Sequence, residues 1–546
     1  MKLGEKWNLK AEFLRGKIRL LQLTNEGELL EREINSSYPF YLIPHRFKSE
    51  EVANSLKRIP FVREVAIEEW FLPPWYEVSG EVVRVEVDCY QSFLKLIERL
   101  EDLGIERVNV QPSAKSLVLM RKGIPLLQWE GKDPWDLVLD IPSLRILRVK
   151  ETGEKIVLFS SVLRKEGEIV ERRINMNRKS LLNEDVASIG REHHISLIES
   201  KSLDCRSLGS PICIEERRNP VDSIIGLIEL SRISFTNLRD TARRSIGQIL
   251  TEIEALEAFQ RKMLIPKVRS GVGGWRSVEE ILRADNGGLV GLPRPGLYRN
   301  ALQLDFSSLY PAIIAKFNIS PETVERPGCS KKTIPLGSLH SVCLDRVGIV
   351  SQVLSKLVER RELLKATGKW IDSEREKALK WIMVASFGYL GYRNARFGSV
   401  LAYESVVSIS REIMRMAMSV ASEMGYKVIH FIVDSLFLWK SGDRIDYQEA
   451  QMLRKKIEAE TGMKLKIEAL YKYLVIPRTN NIAHSGAPNR YYGITDEGRL
   501  VIKGVRCPEL EGVEVHPGIE QKVISILLSN NHPRRLCPQL SFLTSS

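Results

Sequence analysis

Leu302-Gln-Leu-Asp-Phe-Ser-Ser-Leu-Tyr-Pro-Ala-Ile-Ile314 is the stretch on which the reading of this chain turns. Leu302 to Leu304 is a short apolar strand that runs into Asp305. Phe306-Ser307-Ser308 is a tight turn, and Leu309 to Phe317 has the apolar spacing of a helix. A carboxylate at the end of a buried strand, followed by a helix N-terminus, can hold a divalent cation and a polyphosphate together. The same residues also suit an ordinary strand–turn–helix with a solvated aspartate. What lies further along the chain decides between the two.

The chain has 546 residues, of which 43% are hydrophobic and 27% charged. That is the balance of a soluble globular protein with room for several cores. Lys plus Arg number 81 against 69 acids, a net charge of +12, which suits a polyanionic partner such as nucleic acid. The seven cysteines form no C-x-x-C pair and have no histidine cluster beside them. They read as reduced thiols of an intracellular protein, not as a zinc site or a disulfide frame. Met-Lys-Leu-Gly-Glu-Lys-Trp7 lacks the apolar core of a signal peptide. No stretch approaches the ~20 apolar residues of a membrane span. The expectation is a cytoplasmic, nucleoid-associated protein without a membrane partner.

Outward from the opening stretch, the N-terminal part alternates strand and helix signals. Lys17 to Leu23 and Val82 to Val87 read as strands; Ser49 to Lys57 and Gln91 to Leu103 read as helices. Lys150 to Glu171 reads as two strands about a turn at Gly167, and Ile214 to Pro220 as charged loop. Ile246, Ile249, Leu250, Ile253, Leu256 and Phe259 form a helical stripe. Gly287 and Gly288 would let a backbone approach a phosphodiester closely, or simply make a turn. Gly348 to Leu364 is strongly helical, with Arg361 and Lys365 on one face. Gly368 ends it, and Ser373-x-x-Glu376 has the signature of a capping box that opens a second helix carrying Lys380. Further on, Ile432-Val433-Asp434-Ser435 separates two apolar strands, Lys427 to Phe431 and Leu436 to Trp439. An acid there is either a metal ligand or a turn residue. Two carboxylates on adjacent strands and a basic helical pair are the parts of two-metal phosphoryl transfer.

Here the sequence resembles the archaeal B-family DNA polymerases. Asp305-Phe-Ser-Ser-Leu-Tyr-Pro-Ala-Ile-Ile314 is similar to their first palm motif, Lys380 to Tyr392 to the fingers motif, and His430-Phe-Ile-Val-Asp-Ser435 to the third, metal-binding motif. Arg490-Tyr-Tyr-Gly493 with Ile502-Lys-Gly504 resembles the later motif that tracks duplex DNA, and Gly226-Leu-Ile-Glu-Leu-Ser231 lies in a stretch resembling the helical lead-in to the palm. The resemblance implies an α+β, multidomain right hand. Its parts would be an N-terminal α/β domain at 1–130, a degenerate exonuclease-like region at 131–240 and a lead-in helix with the first part of the palm at 241–347. Fingers at 348–392, the rest of the palm at 393–505 and a truncated thumb at 506–546 would complete it. It also implies roles. Asp305 and Asp434 would be the catalytic metal ligands, with the Phe306 carbonyl as a further ligand, for two Mg²⁺ ions or Mn²⁺ in their place. Ser307, Ser308 and Leu309 would offer amides to the nucleotide, with Tyr310 as the gate against a 2′ hydroxyl. Arg361, Lys365 and Lys380 would bind the triphosphate. Gly287, Gly288, Arg490, Tyr491 and Lys503 would touch DNA, and Glu468 would be an accessory acid.

The departures from the pattern matter as much. Ile432 stands where the third motif usually carries its first acid. Val384, Ala385 and Phe387 replace polar positions of the fingers motif, and Asn489 replaces a usual lysine. Asp140-Ile-Pro142 lies where an Asp-x-Glu of the exonuclease is expected, and Pro142 cannot bind metal. The pattern is similar to the divergent, shortened second paralogue of archaea. The expectation is a template-directed polymerase acting on primer–template DNA and dNTPs, without proofreading and of low processivity, suited to repair or lesion bypass. A sliding clamp or other replication proteins would be its partners. The alternative is a weak or inactive DNA-binding paralogue acting as scaffold or regulator; an RNA polymerase or primase is disfavoured by Tyr310.

Overall fold

The computed structural model describes residues 6–24, 27–152, 155–177, 195–200, 212–215, 217–267, 277–279, 287–440, 444–479, 484–504, 510–515, 520–529, 539–540 and 543. The chain forms two compact units. One comprises Met1–Val272, Ser320–Gly328 and Asp345–Val400; the other comprises Gly273–Ile319, Cys329–Leu344 and Leu401–Ser546.

The first unit opens with a three-stranded antiparallel sheet (Trp7–Leu14, Lys17–Leu23, Leu29–Asn35). A four-stranded sheet follows, in the order Val62–Phe71, Ser79–Val87, Tyr38–Pro44, Ile105–Val108. Helices Ser49–Lys57 and Tyr90–Asp102 supply Val52, Leu56, Phe93, Leu96 and Leu100 to the core over this sheet. A five-stranded sheet comes next, in the order Gly167–Asn177, Lys155–Arg164, Leu144–Thr152, Leu197–Ser200, Ile212–Ile214. Three strands stand where the sequence suggested two, and Ile212–Ile214 extends into the expected charged loop. Asp140 and Pro142 precede the sheet in irregular chain.

Among the other helices of this unit are α1 (Ile224–Ser234), α2 (Ile246–Gln260), α3 (Ile349–Ala366) and α4 (Trp370–Gly391). Ser245 and Gln248 close a capping box at the start of α2. The sequence shows an apolar stripe on α2, but Gly247, Thr251, Glu252, Glu254 and Ala255 are buried too, so the helix is covered almost all round. Gly247 is where α2 meets α4: a Cβ there would fall 1.6 Å from Cζ of Tyr389. The Ser373–Glu376 signature does not cap α4. The helix has already begun at Trp370, and the Ser373 amide donates to the Lys369 carbonyl within it.

At the centre of the helices lies Glu229, fully buried on α1. Arg375 donates to its Oε2 at 2.8 Å and Arg232 at 3.3 Å, while Arg360 donates to Oε1. Other guanidinium hydrogens reach the Trp135, Asp136 and Leu137 carbonyls and Asp372 Oδ1, while Arg232 Nε and Arg375 Nη2 find no partner among the described residues. Burial pushes the Glu229 carboxyl up, but Arg375, Arg360 and Arg232 outweigh it and hold it down to about 2. One carboxylate thus joins α1, α3, α4 and the 135–137 segment.

The second unit is built on a six-stranded sheet: β1 (Gly296–Phe306), β2 (Lys427–Ile432), β3 (Ser435–Trp439), β4 (Leu465–Ile476), β5 (Tyr491–Thr495) and β6 (Leu500–Lys503). Their order is β2-β3-β1-β4-β5-β6. Along β1, Leu302 and Leu304 are fully buried on one face, while Ala301, Gln303 and Asp305 share the other. Val523, Ile524 and Leu527 of helix Glu520–Ser529 pack with Tyr492, Ile494, Leu500 and Ile502, so the described part of 506–546 covers the β5–β6 end of this sheet.

The cysteines depart from expectation. Cys329 and Cys343 form a disulfide, Cys213 is also disulfide-bonded, and Cys89 is a free thiol. No spacing motif announces the first pair. The short strands Lys332–Thr333 and Val342–Cys343 pair antiparallel and bring the two Cα atoms to 5.8 Å. Closing a loop of this length restricts the unfolded chain by about 3 kcal/mol in chain-entropy terms. Cys329→Ser should therefore lower the urea midpoint measured under oxidising conditions and leave it unchanged under reducing ones.

Candidate active site

Asp305 and Asp434 come together at one end of the second unit's sheet. Asp305 is the penultimate residue of β1, and Asp434 lies in the two-residue loop between β2 and β3, where Ile432 faces Ser435. The Phe306 amide donates to the Asp434 carbonyl at 2.8 Å, and Ser435 Oγ donates to Asp305 Oδ2 at 2.7 Å. Val433 sits at φ 52°, a region that β-branched residues seldom adopt, and its amide donates to the Leu289 carbonyl at 2.8 Å. The loop therefore holds Asp434 against β1 at the cost of local backbone strain.

Burial pushes the Asp305 carboxyl up, against the hydrogen bond from Ser435 and the charge of Lys466. Burial, and then the negative charge of Asp305, push Asp434 up to about 6. Two carboxylates that resist ionising side by side are suited to a cation. Glu468 joins them from β4. Gln303 faces Ala469 and Leu304 faces Ile467, which leaves Glu468 as the extra residue of a β-bulge. Lys466 Nζ lies 2.5 Å from Glu468 Oε2 and 3.7 Å from Asp305 Oδ1. The groups that could hold an ion here offer hard oxygens (the Asp305 and Asp434 carboxylates, with Glu468 beyond Lys466), donors of the kind that Mg²⁺ or Mn²⁺ takes; among the described residues the three carboxylates do not converge to one common metal-binding distance.

The other residues singled out from the sequence fare differently. Tyr310 stands in the first turn of helix Leu309–Lys316, hydrogen-bonded to Ser410. Gly288 owes its lack of a side chain to this neighbourhood, because a Cβ would lie 2.8 Å from Tyr310 Oη and 2.9 Å from Val433 Cγ2. Gly287 is left-handed, at φ 60°, and a Cβ there would meet nothing within 4 Å. The Ser307 amide donates to the Lys464 carbonyl at 2.9 Å, so it is committed to the sheet and not offered to a phosphate. Ser308 is left-handed and caps the helix, and Leu309 is buried.

Tyr491 is only 9% exposed, and its hydroxyl accepts from Gln303 at 3.3 Å. Its ring packs in an apolar patch with Ala301, Phe437 and Tyr471. Ile432 packs on the same patch, which puts hydrocarbon where the family's extra acid is expected. Arg490 is half-buried, and Lys503 is exposed and paired with Glu511.

In the first unit, Arg361 on α3 pairs with Glu376 on α4, while Lys365 and Lys380 are exposed. Trp381 and Val384 are exposed on α4 as well. Sequence reasoning missed Lys466 and Ser435 at the carboxylates. The period of a strand could have found Lys466, two residues before Glu468.

Comparisons with known proteins identify the family. The family model for DNA polymerase family B matches residues 243–538. DNA polymerase 2 of Saccharolobus solfataricus is 35% identical over 508 residues, spanning 92% of this chain and 72% of that protein. DNA polymerase 2 of Aeropyrum pernix is 27% identical over 333 residues, or 57% of this chain and 39% of that one. The DNA polymerase of Archaeoglobus fulgidus is 27% identical over 259 residues, covering 46% and 31%. Among solved structures, the family B DNA polymerase from the hyperthermophilic archaeon Pyrobaculum calidifontis shares the fold, with a TM-score of 0.67 at 18% identity. That match covers 98% of this chain and 85% of the other. With the family model spanning more than half of its length, and a relative over one-third identical along nearly all of it, the chain belongs to DNA polymerase family B.

Proposed function

We propose that the chain extends a DNA primer under the direction of a template, with Asp305 and Asp434 as its metal-holding carboxylates. The observation that carries this is their convergence. Strand β1 and the β2–β3 loop are joined by the Phe306–Asp434 backbone bond at 2.8 Å, and burial with mutual repulsion primes the pair for a cation. A divalent ion bound there supplies Lewis-acid activation of a 3′ hydroxyl and stabilises charge on a leaving pyrophosphate. The chain's own residues do the rest. Ser435 orients Asp305 through its hydrogen bond. Tyr310, braced by Ser410, takes the place of a sugar-selecting side chain. On this reading the six-stranded sheet is the palm, and α3 with α4 is the fingers hairpin, with Arg361, Lys365 and Lys380 as its triphosphate-binding side chains.

The reading also assigns no proofreading to the five-stranded sheet. Among the described residues, two of its acids are engaged by arginine: Arg148 reaches Glu168 and Glu199, and Arg217 reaches Glu199 at 3.2 Å. Carboxylates paired in this way are poorly placed to share two metal ions.

Primer extension by the purified protein tests the assignment. Template-dependent addition of deoxynucleotides supports it. Duplex binding without extension would instead support the scaffold reading, which the apolar Ile432 at the carboxylates favours. For the exonuclease, steady 3′ shortening of a single strand would overturn the loss of proofreading.

A further inference from the structure

Lys466 is the one cation placed among the three acids of the candidate site by the described residues. Its position is fixed by the sheet and not by chance contact. It lies directly opposite Asp305 in the β1–β4 register, and the bulge at Glu468 turns that acid toward it. Leu465, its neighbour in the strand, is buried and holds the backbone in place. The ammonium is half-buried, 2.5 Å from Glu468 Oε2 and 3.7 Å from Asp305 Oδ1. An ammonium donates hydrogen bonds and cannot coordinate, so each carboxylate oxygen it engages is withdrawn from the ligand set of an ion. Its positive charge also repels a divalent ion within a few ångströms.

We propose that Lys466 is a built-in counter-cation of the carboxylate cluster. Its ammonium occupies the charge position between Asp305 and Glu468 that a second divalent ion would otherwise take, and so limits the free chain to one tightly held ion. The proposal rests on the reading of Asp305 and Asp434 as metal ligands. A second ion would then enter with the triphosphate, whose oxygens bring their own ligands and charge. Lys466 in this role is a positioning residue that sets how divalent cations load.

The test is a titration of the full chain with Mn²⁺, without DNA or nucleotide, reading free Mn²⁺ by electron paramagnetic resonance. Wild type should take up one tight equivalent. Lys466→Met should gain a second, or tighten uptake about tenfold, and Lys466→Gln should do the same should the methionine variant fold poorly. Lys466→Arg, which keeps the charge, should stay at wild-type stoichiometry. Lys464→Met, two residues away and exposed, should change little. Unchanged uptake in both Lys466→Met and Lys466→Gln overturns the proposal, as does an equal gain in Lys464→Met, which would reduce the effect to net charge. The titration needs no turnover. A chain that extends no primer yet shows the Lys466 effect would sink the polymerase reading alone, and the converse result would sink only the role of Lys466.

Discussion

Asp434→Ala should lower the rate of primer extension by roughly a thousandfold or more, with DNA binding largely kept. The size follows from what the residue is proposed to hold. Lewis-acid stabilisation of the transferring phosphoryl group supplies several kcal/mol, and each ~1.4 kcal/mol is a factor of ten in rate. The fold should survive, because the structural work at this loop is done by backbone. The Phe306 amide bonds the Asp434 carbonyl, and the Val433 amide bonds the Leu289 carbonyl; neither bond needs the Asp434 side chain. Removing the carboxylate also relieves its repulsion with Asp305, which helps to push Asp434 up to about 6. Circular dichroism should therefore show an unchanged melt while single-turnover extension collapses. A variant that retains a tenth of wild-type activity would show that Asp434 is a turn residue and that the chemistry lies elsewhere.

Glu229→Gln should destabilise the first unit by about 3–5 kcal/mol, read from the denaturant midpoint. Three guanidiniums converge on this one carboxylate, and its loss leaves Arg232, Arg360 and Arg375 buried around a neutral amide. Asp372 and the 135–137 carbonyls would satisfy some hydrogens but only one charge. The pH dependence follows in sign. The folded carboxyl is held at about 2, below its ordinary value of 4.5. Its contribution to stability is fully present above that ordinary value and is lost as pH falls toward 2. Wild type should therefore lose stability across that acid window, and Glu229→Gln should show a shallower loss there. A midpoint for Glu229→Gln within experimental error of wild type would contradict this account of the cluster.

What the sequence made legible and what it hid have physical causes. Lys17–Leu23 and Ser49–Lys57 stand at the boundaries their patterns suggest, because alternation and helical spacing are local signals. Asp305 and Asp434 were legible as acids in otherwise apolar strand ends. Glu229 was not, although Gly226-Leu-Ile-Glu-Leu-Ser231 carries a family resemblance. Its partners lie 131 and 146 residues away, and nothing near Arg360 or Arg375 tells a buried arginine from a solvated one. The Ser373–Glu376 signature misled because a capping pattern has force only where a helix is free to start. The burial of Tyr491 was hidden for a related reason: a tyrosine on a strand looks the same whether its ring is exposed or packs beside Gln303. The Cys329–Cys343 bridge depended on a two-residue strand pairing too short to leave a periodic trace.

The notch at Gly247 has a mechanical consequence for α4. The ring of Tyr389 fills a space that no side chain other than hydrogen could leave open. Sliding α4 along α2 by one helical turn, about 5.4 Å, would carry the ring from this recess onto the level of Thr251, which is itself packed in. Translation between the two helices is thereby blocked, as by a key in its slot. Any sliding of the helical hairpin must then take α2 with it. A bulkier residue at position 247 would act as a brake on that sliding, even though it lies on neither helix of the hairpin.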